Sequence, residues 1–192
     1  MTIEPILGAG TWTSSNASGS FQSYNPKSKE KLSDCFPVST WQDCEVALDA
    51  AAAAAKVMAG LSAENIAQFL EAYALGIESR KEELVETAHL ETALPKSPRL
   101  ADGELPRTLG QIRQAAQAAR DYSWVDATID TSNNIRSQLG SLGPVCVFGP
   151  NNFPFAFGGI SGGDFVSAIA AGNPVIAIAH YLHPRIHASA SG

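Results

Sequence analysis

The residues most able to do chemistry lie in a turn, Asn151-Asn152-Phe153-Pro154, that directly follows a short apolar run. That run, Val145–Phe148, has Gly-Pro on both sides and is typical of a strand buried on both faces of a parallel sheet. Nucleotides bind beyond the C-terminal ends of such strands. We therefore expect the turn to form part of a nucleotide site, although an asparagine in a turn can also cap the next helix or bond its own backbone.

The glycine-rich sequence GGISGG at 158–163 does not fit a known phosphate loop. Neither the GxGxxG pattern nor the GxxxxGK[ST] pattern directly follows the strand. Close packing against a helix, which small residues permit, is the interpretation that we favour for these glycines.

Three histidines, His180, His183 and His187, are spaced three and four residues apart, as metal ligands on one helix face would be. Pro184 is expected to interrupt any helix that would align them. The sequence therefore favours ordinary surface and loop histidines, and we predict no metal site.

The three cysteines show neither metal-binding nor redox spacing. Cys146 lies within the apolar run, which predicts a buried, unreactive thiol. Cys35 and Cys44 have no histidine or other base at a recognisable spacing. Reduced thiols in a cytoplasmic protein are the simplest account of this cysteine usage.

The elements around the turn have the order of one βαβ unit. Gly172-Asn173 is a typical helix end, and 175–179 forms a second apolar strand. Parallel strands joined in this way require a right-handed crossover. The helix between the two strands is predicted from apolar residues at helical spacing, namely Phe157, Ile160, Phe165, Val166 and Ile169.

The chain before this unit reads as helical from residue 40 to about residue 122. Thr40 with Asp43, Ser62, and Ser79 with Glu82 are candidate helix starts. Ser97-Pro98 predicts a further start and Pro106 a kink. The second helix should bury one apolar stripe, which consists of Ile66, Phe69, Leu70, Tyr73 and Ile77.

Residues 125–142 read as a β-hairpin, with strands at 125–129 and 135–142 and a turn at 130–134. A surface hairpin is the simple interpretation. Because an isolated two-stranded ribbon is only marginally stable in water, an arm that pairs with another chain is also physically sensible.

The composition is that of an ordinary globular protein, with 45% hydrophobic and 17% charged residues in a chain of 192. A net charge of −6 argues against nucleic acid or an anionic membrane as a partner. No apolar run is long enough to cross a bilayer, and the N-terminus lacks the pattern of a signal peptide.

Several stretches resemble the aldehyde dehydrogenase superfamily at the start of its cofactor-binding domain. They include GPVCVFGPNNFP, SAIAAGNPVIAIAHYLHP, YNPKSKEKL and ELPRTLGQIR. The details SLGPVCVFGPNNFPFAF and HYLHP are most similar to the branch of 2,5-dioxovalerate (α-ketoglutarate semialdehyde) dehydrogenases and NADP-dependent fatty aldehyde dehydrogenases. The resemblance covers nearly the whole chain.

The resemblance implies a role for Asn152 in catalysis. In the family, the asparagine before Phe-Pro donates its side-chain amide to the oxyanion that forms when a cysteine attacks the aldehyde. Phe148, Gly149 and Pro150 would meet the adenosine side of NAD or NADP through backbone groups. The residues Asn151, His180 and Arg185 are also assigned to the cofactor site, Arg185 as a possible partner of an NADP 2′-phosphate or else a surface residue.

The sequence departs from the family in two respects. Ile178 stands where the superfamily usually has a lysine that bonds the adenosine ribose, which predicts weak cofactor affinity. Members are more than twice this length, and no cysteine here matches the catalytic motif of the family. We therefore expect either part of a longer product or a degenerate homologue, and no catalysis by this chain alone.

These observations predict an α/β protein with a helical N-terminal part of the cofactor-binding domain at 1–124, a projecting hairpin arm at 125–142 and an incomplete Rossmann-like βαβ unit at 143–192. The implied activity is NAD(P)-dependent oxidation of a small-molecule aldehyde, either a semialdehyde such as 2,5-dioxovalerate or a fatty aldehyde. The alternative is an inactive interaction protein. In both cases the hairpin is expected to form a homo-oligomer, and in the alternative it could instead pair with a full-length relative.

Overall fold

Short strand pairs form the N-terminal part of the chain. The structure, a computed structural model, describes residues 2–190. Ile6–Gly8 (β1) pairs antiparallel with Thr11–Thr13 (β2), and Gly19–Phe21 (β3) pairs antiparallel with Phe36–Val38 (β4). Three-residue strands have few ladder hydrogen bonds, so this part depends on the helices that follow for its stability.

Helices occupy the next part of the chain. They are Trp41–Met58 (α1), Ala63–Ser79 (α2), Lys81–Thr92 (α3), a π-helical segment at Lys96–Glu104, and Leu105–Asp121 (α4). The Asp43 carboxylate accepts the backbone N–H of Thr40 at 3.1 Å, and the Ser62 hydroxyl accepts that of Asn65 at 3.1 Å. The starts predicted for α1 and α2 are therefore confirmed.

Two predicted helix starts were wrong. Helix α2 continues to Ser79, whose hydroxyl donates to the carbonyl of Gly76 at 2.8 Å instead of capping α3. Ser97 has an extended backbone inside the π-helical segment, and its hydroxyl bonds the Asp102 carboxylate at 2.6 Å. Pro106 lies in the first turn of α4, where a missing N–H costs nothing, so the change of winding occurs at the junction before it.

The hydrophobic core lies between α2 and α4 and extends to the C-terminal unit. It contains Ile66, Leu70 and Ile77 from α2, Leu105, Leu109 and Ile112 from α4, and Phe155, Val166 and Ile186 from beyond residue 150. Phe69 is half exposed and stacks on Tyr73, so the stripe predicted for α2 is correct except at that residue. The helical part and the βαβ unit thus share one core.

The βαβ unit is present, with a shorter helix than predicted. Val145–Phe148 (β7) pairs parallel with Val175–Ile178 (β8), and Gly163–Ala170 (α5) connects them. Phe157 and Ile160 precede α5 in a series of turns, because the residues from 153 to 162 are fixed by contacts with the helical part rather than by their own periodicity. The final helix is Pro184–Ala190 (α6).

The ends of this unit are fixed by local hydrogen bonds. Gly172 has a φ of +77°, as predicted for a helix end. The buried Asn173 amide oxygen accepts the N–H groups of Leu142 and Gly143 at 2.6 and 3.0 Å. This amide therefore joins the end of α5 to the approach of β7.

The predicted hairpin is also present, with shorter strands. Thr128–Asp130 (β5) pairs antiparallel with Ile135–Ser137 (β6). The Asp130 carboxylate accepts the N–H groups of Ser132 and Asn133, both at 3.0 Å, which closes the predicted turn. None of the helices within residues 2–190 has the length and apolar character needed to span a bilayer.

Candidate functional site

The turn after β7 presents Asn151 and Asn152 on the surface. The carbonyl of Asn152 accepts a hydrogen bond from the Arg99 guanidinium at 3.0 Å. The side-chain amide of Asn152 makes no hydrogen bond to any residue from 2 to 190, so it neither caps a helix nor bonds its own backbone. The backbone of this residue is held while its amide remains available to a ligand.

A buried carboxylate, Glu104, holds the chain that follows. Its Oε1 accepts the N–H groups of Phe155 at 2.7 Å and Ala156 at 3.0 Å. Its Oε2 pairs with Arg99 at 2.6 Å. Glu104 is only 2% exposed, and its buried carboxylate is tolerated because charged and backbone donors satisfy both of its oxygens. Through Arg99, the same carboxylate also fixes the turn at Asn152.

Glycines allow the turns to approach one another closely. A Cβ on Gly149 would lie 2.6 Å from the backbone N of Gly159, and one on Gly158 would lie 2.2 Å from the carbonyl O of Pro154. Gly162 is equally close to the backbone of Phe157, at 2.6 Å. Gly158 and Gly162 are therefore needed for close packing, as predicted, but the prediction that they pack against a helix was wrong, because their neighbours are turn backbone.

One face of the two-stranded sheet is open, contrary to prediction. Val147 is buried, but Phe148 is 72% exposed and Cys146 is exposed. Within residues 2–190, β7 pairs with β8 alone, and the alternation of exposed Cys146, buried Val147 and exposed Phe148 shows that one face of β7 is uncovered. The predictions of a strand buried on both faces and of a buried Cys146 were therefore wrong.

His183 connects two of the predicted cofactor residues, Pro150 after β7 and His180 after β8. The Nε2 atom of His183 is 3.2 Å from the carbonyl O of Pro150, which links the loop after β8 to the turn after β7. The His180 ring stacks on His183, with ring centroids 4.9 Å apart. Ile178 is the last residue of β8 and is 38% exposed, so no donor for a ribose hydroxyl exists at that position.

The histidines do not form the surface loop that the sequence indicated. Pro184 begins α6 rather than interrupting a helix, and His183 and His187 are both buried. Their rings stack with centroids 5.5 Å apart. Burial lowers the pKa of His187 to about 3 and also lowers the pKa values of His183 and His180. Within residues 2–190, no group of three His, Cys, Asp or Glu side chains is arranged to hold a metal ion.

Arg185 is engaged by the N-terminal part of the chain. Its guanidinium pairs with Glu4 at 2.9 Å and with Asp34 at 2.7 Å. Its backbone N–H and that of Ile186 donate to the buried carboxylate of Glu91, each at 3.0 Å. Burial raises the pKa of Glu91 to about 7, although these N–H donors oppose the shift. The arginine is thus neither a free cation nor a simple surface residue.

Acid is expected to destabilise the fold through His187. Its pKa is about 3 in the folded chain against an ordinary 6.5, so only the unfolded chain binds a proton between these values. Stability from the neutral ring is complete above pH 6.5 and is lost as the pH falls toward 3. When the pH is lowered from about 7.5 to about 5, the free energy of unfolding measured with urea should fall by about 2 kcal/mol more in the wild type than in His187→Leu.

That comparison isolates the histidine. Glu91 titrates in the opposite sense, because its stabilising contribution is lost as the pH rises toward 7. Both proteins contain Glu91, so its contribution cancels. Parallel pH dependences in the two proteins would contradict the prediction.

The most important supporting residues, Arg99, Glu104 and Glu91, were missed from sequence. One signal existed for Glu104. Leu100, Glu104 and Thr108 are spaced by four residues and are all buried, which places an acidic residue in the apolar stripe that leads into α4. A carboxylate at a core position must be paired or hydrogen-bonded.

The comparison of sequences gives one family. Residues 12–186 match the aldehyde dehydrogenase family. The alpha-ketoglutaric semialdehyde dehydrogenase 2 of Azospirillum brasilense is 38% identical over 193 residues, which cover 95% of this chain and 36% of the relative. The alpha-ketoglutaric semialdehyde dehydrogenase of Acinetobacter baylyi is 35% identical, with coverages of 84% and 32%. The chain spans about a third of the length of these curated relatives.

Solved structures share the fold. Aldehyde dehydrogenase 21 from Physcomitrella patens, in complex with the reaction product succinate, superposes with a TM-score of 0.83 at 23% identity, over 98% of this chain and 39% of that one. A mutant of aldehyde dehydrogenase C from Pseudomonas syringae, solved with NAD⁺ and octanal, superposes with a TM-score of 0.84 at 22% identity. The match covers 98% of this chain and 37% of that one. The family match over most of the sequence and the shared α/β fold agree, and this chain belongs to the aldehyde dehydrogenase family.

Proposed function

We propose that this chain forms the beginning of the nucleotide-binding domain of an NAD(P)-dependent aldehyde dehydrogenase and contributes Asn152 to its active site. The observation that carries the proposal is the free amide of Asn152, on a turn fixed by Arg99 at the C-terminal end of β7. Ligands of α/β sheets bind at this end of the strands.

The role proposed for Asn152 is stabilisation of charge. As a nucleophile adds to an aldehyde, negative charge develops on its oxygen, and a neutral N–H donor already held in place stabilises that charge. The contacts of Glu104 and Arg99 restrict the movement of the turn, so little reorganisation is needed during the reaction. NAD(P)⁺, when bound, supplies the acceptor for the hydride of the substrate.

The residues at the strand ends support a nucleotide site in part. Phe148, Gly149 and Pro150 lie at the end of β7, and Gly149 lets the backbone turn closely. Ile178, however, cannot donate to a hydroxyl. We propose weak binding of NAD or NADP through backbone groups of these residues and Asn151, with His180 beside them. Arg185 would reach a 2′-phosphate only by leaving Glu4 and Asp34.

The proposed substrate is a semialdehyde, of which 2,5-dioxovalerate is the example. The names of the two curated relatives support it, since both are alpha-ketoglutaric semialdehyde dehydrogenases. A fatty aldehyde is the alternative. We also propose the division at 1–124, 125–142 and 143–192, and a cytoplasmic location, for which the free state of all three cysteines is the support.

A lysine at position 178 should tighten nucleotide binding. Ile178→Lys introduces an ammonium group at the end of β8, and a charged hydrogen bond to a ribose hydroxyl contributes enough to lower Kd about tenfold. Calorimetric titration of the wild type and the variant with NAD⁺ and NADP⁺ measures the change. Ile178→Met is the control, because it keeps an apolar side chain. Equal affinities of the Lys and Met variants would count against a nucleotide at this edge.

The hairpin supports a second proposal, an interaction role that does not require catalysis. Ile129 and Ile135 are 65% and 58% exposed, and Leu142, just before β7, is 90% exposed. Exposed apolar side chains on a two-stranded ribbon are typical of a surface that pairs with another chain. We propose that residues 125–142 join a second copy.

Light scattering after size exclusion should therefore give a dimer or larger species. Ile129→Lys combined with Ile135→Glu should shift it to the monomer, because charged side chains on a strand edge oppose pairing. Val57→Lys, at an equally exposed position on α1, is the control and should leave the mass unchanged. A monomeric wild type would end this proposal.

A further inference from the structure

We propose that Arg107 binds the carboxylate of an acid-bearing aldehyde, in a cavity beside the Asn152 turn; the inference rests on the function proposed above. The cavity has a volume of about 350 Å³ and is lined by Pro98, Arg99, Gly103, Glu104, Arg107 and Phe153. It therefore lies between the start of α4 and the residue that follows Asn152.

The charges around this cavity leave one cation uncompensated. Arg99 is paired with Glu104 at 2.6 Å and also bonds the Asn152 carbonyl. Both oxygens of Glu104 are occupied. Arg107 is exposed and forms no ion pair with any carboxylate of residues 2–190. An anionic group in the cavity would thus meet a net positive charge with free N–H donors.

Aromatic rings position the guanidinium of Arg107. It lies 5.1 Å from the ring centroid of Phe157, which meets Phe153 edge to face at 5.2 Å. Arg99 lies over the other ring, 4.3 Å from the centroid of Phe153. A guanidinium held beside a ring by cation–π attraction, with no carboxylate partner, still has N–H groups for the two oxygens of a carboxylate.

The position also fits the chemistry at Asn152. Because Asn152 and Phe153 are consecutive and Phe153 lines the cavity, a ligand in the cavity with its carboxylate at Arg107 has its other end near the asparagine turn. A short aldehyde with a terminal carboxylate would use both ends. Arg107 would then determine specificity, because a neutral aldehyde leaves its charge without a partner.

Glutarate tests this assignment, because it carries the carboxylate and cannot react. In ¹H–¹⁵N spectra of the 192-residue chain, glutarate should shift the signals of Arg107, Phe153 and Phe157, and its neutral diamide should not. Arg107→Leu should weaken glutarate binding at least tenfold, and Arg107→Lys should retain part of it. Arg113→Leu, on the same helix but paired with Glu78 and outside the cavity, should bind as the wild type does.

Nucleotide titrations of the same samples separate this inference from the proposed function. Glutarate binding that depends on Arg107 supports the inference even if the chain binds no nucleotide, in which case only the proposed function fails. Glutarate binding that is absent, equal to that of the diamide or unchanged in Arg107→Leu overturns the inference, whatever the nucleotide result. Wild-type spectra away from the cavity must be retained in Arg107→Leu, and Arg107→Lys provides the comparison if they are not.

Discussion

Glu104→Ala should lower the free energy of unfolding by about 3–5 kcal/mol. The substitution removes the acceptor of the Phe155 and Ala156 N–H groups and leaves Arg99 without its carboxylate. Buried donors without partners carry the full cost of desolvation, and no water reaches a residue that is 2% exposed without local opening. Urea unfolding, followed by far-UV circular dichroism, measures the loss.

The matched control is Glu83→Ala. Glu83 also pairs with an arginine, Arg80, at 2.8 Å, but both side chains are substantially exposed. Exposed pairs of this kind contribute less than about 1 kcal/mol. The amide hydrogens of Phe155 and Ala156 should exchange faster in Glu104→Ala than in the wild type, and their exchange should be unchanged in the control. Equal losses in the two variants would show that Glu104 is not the anchor of the turn.

Gly158→Ala should have the second large effect on the free energy of unfolding. It should destabilise the chain, whereas Gly110→Ala should stabilise it. A Cβ at residue 158 would lie 2.2 Å from the Pro154 carbonyl O, and backbone cannot move aside as a flexible side chain could. We expect a loss of at least about 2 kcal/mol in unfolding free energy, together with altered amide signals at Asn151 and Asn152.

Gly110→Ala is the control for Gly158→Ala, because it adds the same methyl group where there is space for it. Gly110 lies within α4, with nothing within 4 Å of an added Cβ. Alanine there should stabilise the chain by about 0.5–1 kcal/mol, because it reduces the freedom of the unfolded backbone. In thermal or urea unfolding, Gly158→Ala should therefore be less stable than the wild type and Gly110→Ala more stable. A neutral Gly158→Ala would mean that the turn at 153–162 is not rigid.

The sequence predicted those parts of the fold that depend on local patterns. The apolar run of β7 was bounded by Gly and Pro on both sides, and that of β8 followed a helix end at Gly172-Asn173. Ser62 capped α2, and the Asp130 turn closed its hairpin. Each of these features is determined by residues within a few positions of one another. The family resemblance, now confirmed, added the position of the candidate active site.

The remaining features depend on contacts between distant parts of the chain. Phe157 has helical spacing but lies outside α5, because Glu104, about fifty residues earlier, holds the preceding backbone. His183 and His187 are buried because α6 packs on α3, which no local pattern indicates. Cys146 is exposed because no part of residues 2–190 covers the face of β7 that it shares with Phe148. Long-range partners decide each of these outcomes.

The two buried carboxylates have a mechanical consequence. Glu104 receives the consecutive N–H groups of Phe155 and Ala156, and Glu91 receives those of Arg185 and Ile186. The loops after both parallel strands are therefore tethered to the helical layer, where α3 packs against the π-helical segment. The packing of the helices, together with the contact between His183 and the Pro150 carbonyl, therefore governs how the two loops lie relative to each other, so a core substitution far from either strand can shift one loop against the other.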